Sequence, residues 1–406
     1  MKNLFKKETN TYLNYLIIAY AFSFPISKAA VNILEVLMLL LWIYQGEWKH
    51  KYELLKAQRF MLFLGAFIVY MFISIPWASD TAFALKYIAK YHHFLVIPVI
   101  YTALERKYIK YVFVAFVASV FISEIMSYGI YFNLFTYKHA THEFPTPFMH
   151  HITYSVVLVF TSMILLTNFV HQKKLGYKIF EILFFTTIIT NLFINGGRTG
   201  QVIFIVIMFV VSLMYIKHKL KAILSASAVI FITFFLAYNF SSNFPVRVHQ
   251  FEHGISKIIH NDDYTGQGGM RAALWIVGSE VFLDNPIVGT GIGNEMKDAN
   301  HYASLHSFKT KDMNGFSDYH NVFVNVAAQL GIIGLSFILL IFYSLFKLPF
   351  KTKQYKVLNT VFVISFILFS CTHNTVHLMF PMVFFALFTG IFSAISRIES
   401  SKTLLQ

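Results

Sequence analysis

The sequence predicts an all-α, polytopic membrane protein with about twelve transmembrane helices and one large, mostly helical loop. The 406 residues are 57% hydrophobic and only 13% charged, and their mean hydropathy is +0.60. Soluble domains are about 25% charged, so this composition argues against a soluble globular enzyme. The 46 Phe and 23 Tyr residues supply too much apolar surface for a disordered chain. Apolar runs of about 20 residues, the length that crosses a bilayer, recur along the sequence.

Twelve apolar runs are candidates for membrane-spanning helices. The first follows Lys2, Lys6 and Lys7, but it is too long for a signal peptide and continues directly into the second. We therefore predict that it is retained as the first helix. No internal repeat is visible, so the sequence does not support an inverted-repeat transporter. The runs lie near residues 11–28, 30–45, 60–78, 81–103, 111–133, 152–170, 179–195, 200–216, 222–240, 321–346, 357–373 and 376–396.

Lys and Arg collect in alternate loops, and this pattern predicts the orientation of the chain. With the N-terminus in the cytoplasm, the cytoplasmic segments hold 22 of the 33 basic residues, as the positive-inside rule requires. Both termini are then cytoplasmic, and the net charge of +14 reflects orientation and not nucleic-acid binding. The expected organisation is nine helices over residues 1–240, an external loop over 241–319 and three helices over 320–406.

Two lysines interrupt the fourth predicted span. Lys86 and Lys90 are four residues apart and therefore share one helix face, and His92 and His93 follow them. A cation at the centre of a bilayer costs about 2.5 kcal/mol or more, so it usually meets an anion or a water-filled cavity. Two explanations remain open at this point. The lysines either extend towards lipid phosphates at the outer surface or bind an anionic, lipid-linked substrate.

A very short external turn is predicted between the seventh and eighth helices. It reads Asn195-Gly196-Gly197-Arg198-Thr199-Gly200. The first two glycines permit a tight turn, and Gly200 permits a close approach between helices. Arg binds a phosphate at two points where Lys offers one charge. Arg198 is therefore a candidate phosphate ligand, and the alternative is a charged turn residue without a specific role.

The external segment over residues 241–319 is too long for a passive connector. The apolar residues between Leu274 and Phe282 suit one face of a helix, which Asp284-Asn285-Pro286 ends. Trp275 suits the membrane interface, so we expect this helix to lie on the outer membrane surface. Arg271 falls in its first turn.

Two further motifs follow that helix. Gly289-Thr290-Gly291-Ile292-Gly293 is a weak match to a nucleotide-binding loop, because no strand precedes it, and we predict a tight turn instead. Asp318-Tyr319-His320-Asn321 opens the tenth helix. A His at a membrane boundary can act as general base towards a sugar hydroxyl. A cap or surface role for His320 is the alternative.

No metal or cofactor is expected from the sequence. The chain has one cysteine, Cys371, so neither an internal disulfide nor a Cys-based metal cluster can form. Histidine pairs in the predicted external loops allow a metal site in principle, but no carboxylate or Cys pattern completes one. Glu35 and Glu124 are acids predicted inside the membrane, and the sequence does not assign them a role.

The ordered set of these motifs resembles the O-antigen ligase and Wzy-type polymerase superfamily of membrane glycosyltransferases. The resemblance covers the whole chain in topology and roughly residues 195–335 in motifs. Its elements are the turn at Arg198, the stretch from Arg271 and Trp275 through Asp284-Asn285-Pro286 to Gly293-Asn294, and His320-Asn321 followed by Gly331-Ile332-Ile333-Gly334.

This resemblance implies transfer of a glycan from undecaprenyl diphosphate to a sugar of the lipid A core. The site would face the periplasm in the bacterial inner membrane, among membrane lipids. The implied reaction is an inverting, metal-independent displacement in which Arg198 and Arg271 hold the diphosphate and His320 activates the acceptor hydroxyl. Lys86 and Lys90 fit the diphosphate site by charge and depth. The other candidate substrate-binding residues are His93, Trp275 and Asn321.

Three acceptors are compatible with this class. The lipid A core makes the protein a ligase, a second lipid-linked repeat makes it a Wzy-type polymerase, and a protein hydroxyl makes it a protein O-oligosaccharyltransferase. The ligase is preferred because its motif set matches best. A different class is a secondary transporter of an anionic solute, with Lys86 and Lys90 lining its pathway. Transporters place their site at the midplane between broken helices, whereas the unusual charges here lie near the outer end.

Overall fold

A computed structural model describes residues 2–240, 243–307, 309–310, 313 and 316–401. Within these ranges the chain forms helices and turns and contains no β-strand. The first ten helices are α1 (Lys2–Ser23), α2 (Lys28–Gln45), α3 (Trp48–Lys56), α4 (Arg59–Ile73), α5 (Thr81–Ala89), α6 (Val96–Ala103), α7 (Arg106–Tyr131), α8 (His151–His171), α9 (Leu175–Ile194) and α10 (Arg198–Tyr215).

Seven further helices complete the fold. Three of them, α12 to α14, lie in the long segment between two spans, so this segment is helical as predicted. The seven are α11 (Lys219–Phe240), α12 (Asn243–Asn261), α13 (Gln267–Asp284), α14 (Glu295–Ala303), α15 (Val322–Phe346), α16 (Lys353–Ser370) and α17 (Met379–Ser401).

Nine of the described helices are long and apolar enough to cross a membrane, namely α2, α4, α7, α8, α9, α10, α11, α15 and α17. The other three predicted spans also lie on helices. The first corresponds to α1, whose start is charged, the eleventh to α16, and the fourth to α5 and α6 together. The chain is therefore an all-α, polytopic membrane protein. One end of its bundle, where α8, α10 and α15 begin, is called the site end.

The fourth predicted span is interrupted, which corrects the expectation of one run over residues 81–103. α5 ends at Ala89, residues Lys90–Leu95 form a 3-10 helix, and α6 begins at Val96. The 3-10 segment packs against α17. Irregular backbone at membrane depth is tolerated only where protein or water surrounds it. The break therefore depends on tertiary contacts that hydropathy alone does not reveal.

The apolar face of α13 is buried within the protein, so the expectation that it lies on the membrane surface was wrong. Leu274, Val277 and Val281 are fully buried, and they pack with Tyr319 in a small core. α13 also packs along α15. Trp275 is partly buried, with its indole Nε1 in the interior. Periodicity predicts an apolar face correctly but does not say whether lipid or protein covers it.

The glycine-rich loop after α13 docks on a break in α15. At Gly331 the backbone leaves the helical conformation with φ of 62°. A Cβ atom at Gly331 or Gly289 would lie 2.2–2.3 Å from backbone atoms of the other segment, so only glycine fits at either position. The loop is a tight turn, as predicted. Its hydrogen bonds run from Thr290 N to Ala328 O (3.0 Å), from Gly291 N to Gln329 O (2.9 Å) and from Ile332 N to Pro286 O (2.8 Å).

The same loop also holds the start of α5. Oδ1 of Asn294 accepts hydrogen bonds from the Ser79 backbone N–H at 2.9 Å and from the Ser79 hydroxyl at 2.5 Å. Gly293 lies so close to Phe83 that a Cβ atom would come within 2.7 Å of its ring. The loop therefore connects the helix that carries Lys86 to α15.

Candidate functional site

Arg198 is the first residue of α10 and is held against α8 by small residues. Gly196 has φ of +72° and makes the turn. A Cβ atom at Gly197 or Gly200 would lie 2.4–2.5 Å from Cβ of Ser155 on α8. The backbone N–H of Gly200 donates to Oγ of Ser155 at 3.2 Å. These contacts place Arg198 at the site end on a rigid support, and they explain the glycines of the motif.

Arg271 lies in the first turn of α13 and is partly buried. Burial lowers the pKa of its guanidinium, and the positive charge of Arg198 lowers it further, while Asp318 acts in the opposite direction. The two arginines are therefore close enough to repel each other. A pair of partly buried guanidinium groups with one neighbouring carboxylate is suited to a ligand of two negative charges, such as a diphosphate.

Asp318 and His320 form a hydrogen-bonded pair immediately before α15. Oδ1 of Asp318 accepts from the His320 backbone N–H at 2.7 Å and from the ring Nδ1 at 2.9 Å. The backbone of His320 is left-handed, with φ of 53°, an uncommon conformation that marks strained or functional positions. Because Nδ1 carries the donated hydrogen in this contact, Nε2 is the ring nitrogen that can accept a proton.

The charge of Asp318 is stabilised by its neighbours. The side chain is 3% exposed, and burial on its own raises the pKa of the carboxyl. The hydrogen bonds and positive charge of His320, together with the charge of His373, outweigh burial, so the pKa of Asp318 lies below its ordinary value. Asp318 therefore stays ionised at neutral pH and keeps the His320 ring in one orientation.

Two more histidines extend the site towards α8. The ring of His373, in the turn between α16 and α17, lies 5.7 Å from that of His320 at an angle of 88°. The ring of His150, just before α8, lies 6.3 Å from His373. Burial lowers the pKa of His150, and the positive charges of Arg271 and His320 lower it further. The arginine–histidine site is defined here as Arg198, Arg271, Asp318, His320, His150 and His373.

Sequence reasoning named the two arginines and His320 but gave no role to Asp318 or His373. The Asp-x-His spacing at Asp318 was a usable signal, because a carboxylate two residues before a His can bond both its backbone and its ring. His373 had no such signal, since more than fifty residues separate it from His320 and only the fold brings them together.

A second group of cations lies beside this site. Nζ of Lys90 donates to Nε2 of His377 at 2.6 Å, and the His377 ring stacks on Tyr87 at 4.1 Å. The Tyr87 hydroxyl accepts from Nδ2 of Asn325 at 3.2 Å. Oδ1 of Asn325 in turn accepts from the backbone N–H of Tyr319 at 3.4 Å. This chain of contacts connects Lys90 to the segment that holds His320.

Lys86 lies one turn before Lys90 on α5, and its side chain is exposed. The two lysines and His377 are named the lysine group. The sequence predicted that Lys86 and Lys90 share one α-helix face. The structure differs, because α5 ends at Ala89 and a 3-10 helix starts at Lys90. Both lysines are exposed, and Lys90 differs from Lys86 by its contact with His377.

His93 is buried and lies against Glu35. It is 5% exposed, and its Nδ1 donates to the two carboxylate oxygens of Glu35 at 2.8 and 3.0 Å. The Tyr20 hydroxyl donates to the same carboxylate at 2.7 Å. These contacts hold the 3-10 segment that carries Lys90. They favour a positioning role for His93 over direct contact with substrate, and they give Glu35 a structural role. Glu124 is buried on α7, and the structure does not assign it a role.

Glu35, His92 and His93 are the residues whose geometry comes closest to a metal site among those that the structure describes. Their potential ligand atoms all lie within 4.8 Å of one another. The Glu35 carboxylate, however, already accepts hydrogen bonds from Tyr20 and His93. The cluster is therefore satisfied by protein donors alone.

Asn321 and Trp275 lie at the same end of the molecule. Oδ1 of Asn321 accepts from the backbone N–H groups of Phe323 and Val324 at 2.9 and 3.3 Å, so it caps α15. Trp275 is one turn beyond Arg271 on α13. The cap fixes the start of α15 immediately after His320 and thereby supports the geometry of the site.

Residues 182–339 match the family model Wzy_C, which is described as O-antigen ligase. The resemblance to the O-antigen ligase and Wzy-type superfamily is confirmed. No curated protein matches the chain in sequence. The matched O-antigen ligase segment begins within α9 and ends within α15, so it contains both arginines, Asp318 and His320.

The lysine group, His150 and His373 lie outside the residues that match the O-antigen ligase family. They reach the site through α5, the start of α8 and the turn before α17. The fold therefore completes, with residues from both ends of the chain, a site whose central residues belong to the matched segment. The chain is therefore a polytopic membrane protein in which residues 182–339 resemble the O-antigen ligase family, whose members are glycosyltransferase-like membrane enzymes.

Proposed function

We propose that the protein is an O-antigen ligase that transfers a glycan from undecaprenyl diphosphate to the lipid A core. One observation carries the proposal. Arg198 begins α10, and Arg271 in the first turn of α13 feels the charges of Arg198 and of Asp318, whose carboxylate accepts a hydrogen bond from the His320 ring. The two arginines match a diphosphate leaving group. The Asp318–His320 pair matches an acceptor hydroxyl that must lose a proton.

The reaction proceeds by direct displacement. Nε2 of His320 accepts the proton of the acceptor hydroxyl as its oxygen forms a bond to the anomeric carbon of the glycan. The bond between that carbon and the diphosphate oxygen breaks, and its electron pair stays on the diphosphate. Arg198 and Arg271 stabilise the charge that develops there, which is the largest contribution expected in such a site. Attack from the side opposite the leaving group inverts the anomeric configuration.

The remaining candidates support substrate binding in this scheme. Lys90 and Lys86 attract the phosphate groups of the lipid-linked donor, and His93 holds the segment that carries Lys90. Trp275 offers an aromatic surface next to Arg271. Asn321 fixes the start of α15 next to His320.

The family resemblance supports a location in the bacterial inner membrane, and the charge distribution supports both termini in the cytoplasm. In that orientation residues 241–319 form a periplasmic loop with catalytic motifs, between the helices of residues 1–240 and those of 320–406. Both substrates are anchored in lipid, so a site at the periplasmic end of the bundle is within reach of their head groups.

A transfer assay tests the proposal. Purified protein in nanodiscs is mixed with undecaprenyl diphosphate-linked glycan and with lipid A core, and the glycosylated acceptor is measured by mass spectrometry. We expect transfer by the wild type and none by His320→Ala. Absence of transfer to the lipid A core, with transfer to a second lipid-linked repeat, would instead identify a polymerase. Transfer to a protein hydroxyl would identify a protein O-oligosaccharyltransferase.

Transport of an anionic solute is the second candidate, and one observation favours it. The break at Lys90–Leu95 and the buried Glu35–His93 contact resemble the broken helices and ionisable groups of transporters. Proteoliposomes that take up the glycan without a lipid-linked donor would support transport. Transfer in detergent, where no gradient exists, would exclude it as the main activity.

A further inference from the structure

Helix α12 carries an apolar stripe along one face. Its apolar residues recur at spacings of three and four, which places them on one side of the helix. The stripe comprises Phe244, Val248, Phe251, Ile255 and Ile259. The other side of the helix carries the exposed Val246 near its start and is otherwise polar, with His249, Glu252, His253, Lys257 and His260.

The stripe is packed against the bundle at its start and uncovered further along. Phe244 is 7% exposed, and its ring lies 5.3 Å from that of Phe193 on α9 and 5.6 Å from that of Phe234 on α11. The later residues of the stripe are exposed by 55% at Phe251, 41% at Ile255 and 69% at Ile259. The same apolar surface thus begins inside the protein and continues beyond it.

The stripe also begins where a lipid-facing helix ends. α11 directly precedes α12 and is apolar enough to span a membrane, yet most of its side chains are exposed, including Phe231, Phe235 and Leu236. A bilayer covers such a surface. The stripe of α12 therefore starts beside the lipid-facing helix α11, where Phe244 contacts Phe234.

We propose that α12 lies in the interfacial layer of the membrane leaflet at the site end, with its stripe in the acyl region and its polar face towards water. A helix with one apolar face and one polar face is suited to this position. Lys257 and three histidines on the polar face supply N–H donors that suit contact with lipid phosphates. α13, whose apolar face is buried in protein, is excluded from this role.

This placement has a consequence for the active site. α12 packs against α13, and α13 carries Arg271. Contact of α12 with the leaflet would therefore set the height of Arg271 relative to the lipid phosphates. This consequence rests on the proposed function, whereas the membrane contact of α12 does not.

Site-directed spin labelling tests the placement in the full-length protein. Cys371, the single native cysteine, is first replaced by Ser, and single cysteines are then introduced for labelling in phosphatidylglycerol and phosphatidylethanolamine nanodiscs. Phe231→Cys on α11 serves as the lipid-facing reference. The stripe variants are Phe251→Cys, Ile255→Cys and Ile259→Cys, and the matched polar variants are His249→Cys, His253→Cys and His260→Cys.

Labels on the stripe are expected to collide more with oxygen than with a water-soluble nickel complex, as at the reference position. Labels on the polar face should show the reverse, so that accessibility alternates with the helical period. Equal access of the nickel complex to all six positions would place α12 in water and overturn the proposal. Low access of both reagents to the stripe would show that protein, such as a second copy of the chain, covers it instead. None of these readings depends on activity, so they test the membrane contact separately from the ligase proposal.

Discussion

The two cation groups at the site end are built in different ways. In the arginine–histidine site, Arg198 begins a helix that glycines hold against α8, and Arg271 is partly buried beside it. In the lysine group, both lysines are exposed, and Lys90 also donates to His377 next to a break in the helix. The first arrangement offers fixed charges, which stabilise a transition state most effectively because they need not reorganise. The second offers compact, flexible charges suited to attracting a phosphate.

The largest effects are expected in the arginine–histidine site. Arg198→Ala and His320→Ala should each lower transfer by about 100-fold or more, since loss of a fixed charge or a general base costs this much in comparable sites. Initial rates in the nanodisc assay measure the effect, and the amount of inserted protein is the control. A near wild-type rate in Arg198→Ala would contradict its role at the diphosphate, and one in His320→Ala would contradict its role as general base.

The next effect concerns the orientation of the general base. Asp318→Asn keeps the size of the side chain but removes its charge, so the His320 ring loses its strongest acceptor. We expect kcat to fall by roughly 10-fold or more with KM little changed. Asp318→Glu, which keeps the charge, should recover part of the loss. An equal fall in both variants would indicate a structural role only.

A smaller effect is expected in the lysine group. Lys90→Ala should raise KM for the lipid-linked donor by about 10-fold, because one directed phosphate contact is worth roughly 1.4 kcal/mol. Lys86→Ala, one turn away and also exposed, is the matched control and should raise KM less, because Lys90 is the lysine that contacts His377. A larger rise of KM in Lys86→Ala than in Lys90→Ala would contradict the prediction that the lysine in contact with His377 binds the phosphate.

Metal removal should have no effect on transfer. The proposed reaction uses arginine charges and a histidine base, and the Glu35–His93 cluster is satisfied by protein donors. Incubation with EDTA, followed by the transfer assay, measures this, and re-addition of Zn²⁺ is the control. Strong inhibition that Zn²⁺ reverses would assign a metal to Glu35, His92 and His93.

The smallest expected effect is on the pH dependence of the folding stability. Because the pKa of Asp318 is lower in the folded protein than in the unfolded chain, its interactions stabilise the fold above about pH 4. This contribution is lost as the pH falls through the lowered folded-state pKa. The difference in unfolding temperature between wild type and Asp318→Asn should therefore shrink from pH 6 to pH 3. A difference that stays constant with pH would contradict the role of the charge.

The helices α12 and α13 show that the sequence predicts an apolar helix face but not what covers that face. Both helices carry an apolar face in the same external segment, and periodicity detects both faces. The interfacial position was assigned to α13 because of Trp275. The structure buries that face on α15 and Tyr319 and leaves the stripe of α12 uncovered. Periodicity reports that a face is apolar, but the partner of the face depends on contacts with distant parts of the chain.

Composition and the spacing of apolar runs were sufficient to predict an all-α membrane protein, because each span must satisfy its own backbone within the bilayer. Arg198, Arg271 and His320 were predicted from the sequence, because phosphate binding and proton transfer restrict the residue types that can serve, and their roles stay predictions. The break in the fourth span, the Asp318–His320 contact and the approach of His373 and His377 were decided by the tertiary structure. They join residues far apart in the chain, and only packing of the helices determines which of them meet.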